Sequence, residues 1–189
     1  MGMEEAAEKA KKIKMVTLDV DGVITDGNIG IGDDGVRHRV SCQKDGFATI
    51  ALQMSGIEVA VMIAGHPPAI EHRAQDLGIK RCYKSPKKLE KYQEILEETG
   101  LDDEEVCYRG DDLLDVPLLK RVGFPVVPAD ASPEAKEVAH YITATPGGKG
   151  VVREVAERIL KSQGKWDTVL DKILGTVQHY SWWGIIRGQ

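Results

Sequence analysis

Short apolar runs alternate with longer amphipathic ones through most of this 189-residue chain, and that alternation limits the fold more than any other feature. Strands are expected over 14–20, 58–64, 80–83, 105–109, 124–127 and 140–143. Helices are expected over 3–12, 46–55, 67–77, 86–99, 114–122, 132–138 and 148–162. Strand-to-helix repetition of this kind predicts an α/β fold, a doubly wound, mostly parallel sheet covered on both faces. In such sheets ligands bind beyond the carboxyl ends of the strands, where strand order switches.

Acidic clusters fall at those ends. Asp19-Val20-Asp21-Gly22 follows the run Met15-Val16-Thr17-Leu18, Asp26-Gly27 lies just beyond, and Gly110-Asp111-Asp112-Leu113-Leu114-Asp115 follows Val106-Cys107-Tyr108. Carboxylates brought this close repel one another unless a cation lies between them. Mg²⁺, an oxygen-seeking ion that keeps several waters, suits one or two carboxylates from each of two loops. Asp19 has the chemistry of a carboxylate nucleophile, and Asp21, two residues on, that of a general acid and base. By itself, Asp-Val-Asp-Gly is also an ordinary turn sequence. Lys88 adds weight, because Ser85-Pro86-Lys87-Lys88 reads as a helix start with Ser85 as N-cap. A cation there opposes the helix dipole, so something else must favour it.

These residues resemble motifs of the haloacid dehalogenase phosphatase superfamily, in its small, capless branch: Asp19 through Gly27, Lys88, and Gly110-Asp111-Asp112-x-x-Asp115, in that order. The likeness runs from about Ile13 to about Gln163 and includes Lys44-Asp45-Gly46 and Thr145-Pro146-Gly147-Gly148-Lys149-Gly150. It implies Asp19 as nucleophile, Asp21 as acid and base, and Lys88 as the cation facing phosphate and nucleophile. It implies Mg²⁺ held by Asp19, Asp111 and the main-chain carbonyl of Asp21, with Asp112 and Asp115 orienting waters or Lys88 from behind. A phosphorylated acidic sugar as substrate, an aspartyl-phosphate intermediate, a role in lipopolysaccharide biosynthesis and a homotetramer closed through a β-hairpin are implied as well.

The chain departs from the family pattern at Ala64-Gly65-His66, where the family has a Thr or Ser hydroxyl to grip the phosphoryl group; the Gly65 N–H remains as a phosphate donor, and His66 reads either as a second donor or as a loop histidine capping the helix that begins at Pro67-Pro68. Arg109 precedes Gly110 where an aliphatic residue is usual. Lys149 and Arg153 are expected near the substrate entrance, facing the sugar carboxylate, while the glycines beside Lys149 read either as an anion-binding turn or as a tight bend. A second reading, motivated by Ala64, Arg109 and an apolar tail, is a binding or assembly module with little turnover.

The hairpin itself is visible in the sequence: the alternating runs 28–32 and 36–40 flank Asp33-Asp34-Gly35. His38 reads as a polar-face strand residue. One domain over 1–164, with a hairpin insert at about 27–42 and no large cap, is expected, followed at 165–189 by a helix from Trp166 and the apolar tail His179 to Ile186. A net charge of −5 argues against nucleic acid as partner. Three scattered cysteines suggest neither disulfides nor zinc. With no run of about 18 apolar residues and a polar, acidic start, no membrane span or signal peptide is expected, and the location is expected to be cytoplasmic.

Overall fold

The computed structural model describes residues 2–65 and 68–177. A six-stranded, all-parallel sheet has the order β5-β4-β1-β6-β7-β8. Its strands are β1 (Met15–Leu18), β4 (Glu58–Ile63), β5 (Arg81–Lys84), β6 (Val106–Arg109), β7 (Phe124–Val127) and β8 (Tyr141–Ile142). β1 is central, pairing Met15 with Glu58 of β4 on one side and with Val106 of β6 on the other. The chain leaves β1 for β4 and β5, then returns to the opposite side at β6, so the loops after β1 and β6 flank the switch in strand order.

Residue alternation along the strands sorts the core into two layers. Val16, Leu18, Val59, Val61 and Cys107 meet α1 (Met3–Lys11), α2 (Gln43–Met54), α3 (Pro68–Asp76), α7 (Val151–Ser162) and α8 (Trp166–Val177). Met15, Ala60, Met62, Val106 and Tyr108 face the other way, toward α4 (Lys88–Thr99), α5 (Val116–Leu119) and α6 (Pro133–Val138). Trp166, Val169 and Ile173 of α8 join the first layer, so this helix packs on the same core as the rest.

Several boundaries move for local reasons. β1 stops at Leu18 because the chain enters a turn: Asp21 and Gly22 have φ/ψ of −74/126 and 80/−7, the angles of a type II turn. The helix expected from 148 begins at Val151, since Gly148 (φ +66) and Gly150 (φ +110) lie in the left-handed region. The helix expected from 114 is a 3₁₀ turn over Leu113–Asp115 followed by the short α5. Ser85 is not the N-cap of α4; its hydroxyl accepts from the Lys87 N–H at 3.1 Å, and the helix starts at Lys88.

The hairpin forms as β2 (Gly30–Ile31) and β3 (Arg37–His38), antiparallel, with Gly30 opposite His38. A bridge between Thr25 and Ser41 closes its base. Both faces of its strands are exposed, His38 included. The apolar tail lies outside the described residues.

Candidate active site

The loop after β1 and the loop after β6 are locked together. The Asp19 N–H donates to the Arg109 carbonyl at 2.9 Å, continuing the β1–β6 ladder past the strand ends. A Cβ on Gly22 would lie 2.0 Å from Asp111 Oδ2, so only glycine at the turn lets the Asp111 carboxylate rest over it. Gly147 closes the loop from another side: its added Cβ would meet the Gly22 carbonyl at 2.0 Å, and the Gly148 N–H donates to the Val23 carbonyl at 3.0 Å. The glycine-rich segment is therefore a tight bend packed on the first acidic loop.

At the centre, Lys88 bridges two carboxylates. Its ammonium lies 2.9 Å from Asp19 Oδ2 and 2.6 Å from Asp115 Oδ1, and all three side chains are largely buried. Burial alone lowers the Lys88 pKa, but the facing carboxylates outweigh it and hold the amine charged. That resolves the cation at a helix N-terminus: Asp19 and Asp115 stabilise what the helix dipole disfavours. Asp115 is saturated. Its Oδ1 also accepts from the Tyr108 hydroxyl at 2.6 Å, while Oδ2 accepts from the N–H groups of Asp111 and Asp112 at 2.9 and 3.4 Å.

Asp19, Asp111 and Asp115 each present an oxygen within 4.8 Å of the others. Burial, then the neighbouring Asp115, pushes the Asp19 carboxyl up to about 7 despite Lys88. Burial, followed by Asp19, Asp115 and Asp112, pushes Asp111 to about 7 as well. Two carboxylates this reluctant to ionise mark a site short of positive charge, and a hard divalent cation fits it. Because Asp115 has spent its lone pairs on Lys88, Tyr108 and two backbone N–H groups, Asp19 and Asp111 are the side chains left to hold the ion. Asp112 turns away, accepting from the Leu113 N–H at 2.8 Å.

Asp21 has a partner that sequence reasoning missed. Arg39, just past β3, donates from Nε to Asp21 Oδ1 at 2.7 Å and from Nη2 to Oδ2 at 3.0 Å. Thr25 Oγ1 lies 3.4 Å from the same Oδ1. The available signal was the alternation of the hairpin strand, which sets Arg37 and Arg39 on the face opposite Val36, His38 and Val40. Tyr108, whose hydroxyl helps fix Asp115, was also overlooked; it reads in sequence as a plain strand aromatic.

The remaining expected residues divide. Ala64 and Gly65 follow directly on β4, at the same sheet edge as Asp19 and Asp111, and both are exposed. His66 lies outside the described residues. Lys149 is 3.9 Å from Asp26, beside the first acidic loop. Arg153 is engaged elsewhere: its Nε donates to Glu157 at 2.5 Å, and its guanidinium lies over the rings of Phe47 and Trp166 at 4.6 and 4.9 Å. On α7, Arg153 therefore packs over these two rings.

Comparison with known proteins follows the same line. Residues 82–155 match the family model of the haloacid dehalogenase-like hydrolases. The chain is 39% identical over 160 residues to the 3-deoxy-D-manno-octulosonate 8-phosphate phosphatase of Escherichia coli K12, covering 84% of this chain and 85% of that one. The structure is similar to that of the same phosphatase from Moraxella catarrhalis in complex with magnesium ion, phosphate ion and a KDO molecule (TM-score 0.88, 32% identity, 91% and 99% of the chains). It is also similar to the cobalt-bound form from Haemophilus influenzae (TM-score 0.83, 33% identity, 89% and 99% of the chains).

Proposed function

The chain belongs to the haloacid dehalogenase-like hydrolases, among the 3-deoxy-D-manno-octulosonate 8-phosphate phosphatases, and we propose that its own reaction is the magnesium-dependent hydrolysis of that sugar phosphate. The observation that carries the reading is the buried bridge from Lys88 to Asp19 and Asp115, set beside an Asp111 carboxylate that needs a cation. The product, a free eight-carbon sugar acid, fits a step toward lipopolysaccharide.

In the proposed mechanism one oxygen of Asp19 attacks phosphorus and the bond from phosphorus to the sugar oxygen breaks. Lys88, held on Asp19 Oδ2, fixes the orientation of the attacking carboxylate. Asp21 gives its proton to the departing sugar oxygen, then takes one from the water that attacks the aspartyl-phosphate, freeing inorganic phosphate and regenerating Asp19. Magnesium, when bound by Asp19, Asp111 and the Asp21 carbonyl, supplies charge neutralisation for the phosphoryl oxygens. Asp115 acts through Lys88, and Asp112 from the rim.

The proposal includes assembly. Ile29, Ile31, Val36 and Val40 are 42–76% exposed on a two-stranded hairpin, an arrangement marginal alone in water. That exposure supports a homotetramer formed through the hairpin, with the site completed by neighbouring subunits. A cytoplasmic location accords with the three free cysteines and with the finding that no helix among the described residues is long and apolar enough to cross a membrane.

The test is phosphate release from a panel of phosphorylated eight- and nine-carbon sugar acids, with and without Mg²⁺, with Asp19→Asn as control. Magnesium-dependent release above that control is expected. Release equal to the control would leave only the fold.

A further inference from the structure

Arg39 is tied to the site from a segment that is otherwise exposed. Its side chain is 12% exposed, whereas its neighbour Val40 is 76% exposed, and the bridge between Thr25 and Ser41 fixes the hairpin two residues further on. The two N–H groups on Asp21 form the parallel fork that guanidinium and carboxylate favour. A guanidinium carries five N–H groups, so three remain. Asp21, in the reading above, works at the leaving oxygen of the phosphate ester, and a group hydrogen-bonded to its carboxylate stands close to the same atom. Lys88 is already shared between Asp19 and Asp115, and Ala64 has no hydroxyl to offer.

We propose that Arg39 is a further catalytic residue, which keeps its Nε–H on Asp21 Oδ1, leaving Oδ2 for the proton that Asp21 delivers, and turns its Nη1–Nη2 edge to the phosphoryl group, supplying donors in place of the hydroxyl absent at Ala64. The inference rests on the phosphatase reading and deepens it. Arginine suits the task where lysine does not, because only a planar fork can hold a carboxylate and face a second anion together. The hairpin thus becomes part of the catalytic apparatus of its own subunit.

The experiment compares the magnesium-loaded full chain with Arg39→Ala, Arg39→Lys, Ala64→Thr and the double variant Arg39→Ala with Ala64→Thr. It measures kcat/KM on 3-deoxy-D-manno-octulosonate 8-phosphate and, separately, orthovanadate binding by calorimetry. Loss of a hydrogen bond to a charged group predicts a fall of about 10- to 100-fold in kcat/KM for Arg39→Ala, with vanadate binding weakened alongside. Arg39→Lys should fall between, and Ala64→Thr should help the Arg39→Ala background more than the parent. Unchanged kcat/KM and vanadate affinity in Arg39→Ala would overturn the proposal. So would slower turnover with vanadate binding intact, which would make Arg39 a strut for the hairpin, or an equal gain from Ala64→Thr in both backgrounds. If the parent itself shows no turnover, the phosphatase reading fails, and the vanadate comparison still decides whether Arg39 holds a phosphoryl group.

Discussion

Lys88 donates to Asp115 at 2.6 Å in a buried pair, and the same ammonium reaches Asp19 at 2.9 Å. One cation therefore couples the loop after β1 to the loop after β6. Lys88→Met should leave two buried carboxylates facing each other, at a cost of about 3–5 kcal/mol. At about 2–4 °C per kcal/mol for a chain of this size, Tm at neutral pH should fall on the order of 10 °C. Thermal unfolding measures it, and a loss under about 1 kcal/mol would contradict the bridge.

The acid cluster gives a pH dependence with a definite sign. Asp19 and Asp111 are both pushed up to about 7, above the value near 4 expected unfolded. The folded protein holds protons that the unfolded chain has released, so this contribution to stability is full below about pH 4 and is lost as pH rises through about 7. Magnesium replaces those protons. The rise in Tm on saturating with Mg²⁺ should be larger at pH 8 than at pH 5.5 by calorimetry; equal rises would mean that the ion binds elsewhere.

At the end of β4, Ala64 is a small exposed residue where a hydroxyl would serve the phosphoryl group. Ala64→Thr should raise kcat/KM by about one to two decades, from a hydrogen bond to a charged partner worth roughly 1.5–3 kcal/mol. Steady-state kinetics with the folded variant checks it, and no gain would count against Ala64 and Gly65 as the phosphate edge.

Arg109 is 1% exposed, and none of its three guanidinium nitrogens makes a hydrogen bond. Burial lowers its pKa to about 10, with Asp45 the first of the carboxylates that oppose the shift. Asp45 is buried beside it: burial raises its carboxyl pKa; the Arg153 N–H, which donates to Oδ1 at 2.9 Å, and then the Arg109 charge oppose the rise, and Oδ2 has no hydrogen-bond partner. Arg109→Met, similar in volume and uncharged, removes one charge of that buried pair and should cost about 3–5 kcal/mol of stability, with kcat changed only a few-fold. Denaturant unfolding gives the sign; unchanged or raised stability would mean that Asp45 does not need the guanidinium.

Much of the sheet was legible because short continuous apolar runs report strands buried on both faces, as in Val59 to Ile63, and a period of 3.6 reports the buried face of a helix, as along α7. Asp19, Asp111 and Lys88 could be singled out because strand ends and a misplaced cation are local signals. Long-range partners were not. Alternation along the hairpin sets Arg39 on one face but does not name Asp21, 18 residues away, as its partner, and nothing local in the sequence brings Phe47 and Trp166 beneath the Arg153 guanidinium. The helix expected from 148 starts at Val151 for a readable reason: Gly147 and Gly148 serve close approach to Gly22 and Asp26 and cannot also begin a helix.

A crystal structure of the chain with Mg²⁺ and beryllium fluoride, a mimic of the phosphorylated aspartate, tests the central claim most directly. The expected result is one ion held between the Asp19 and Asp111 carboxylates, with the fluoride adduct on Asp19 and Lys88 still on its far oxygen. Asp19 left unmodified, with no ion between it and Asp111, would contradict the claim.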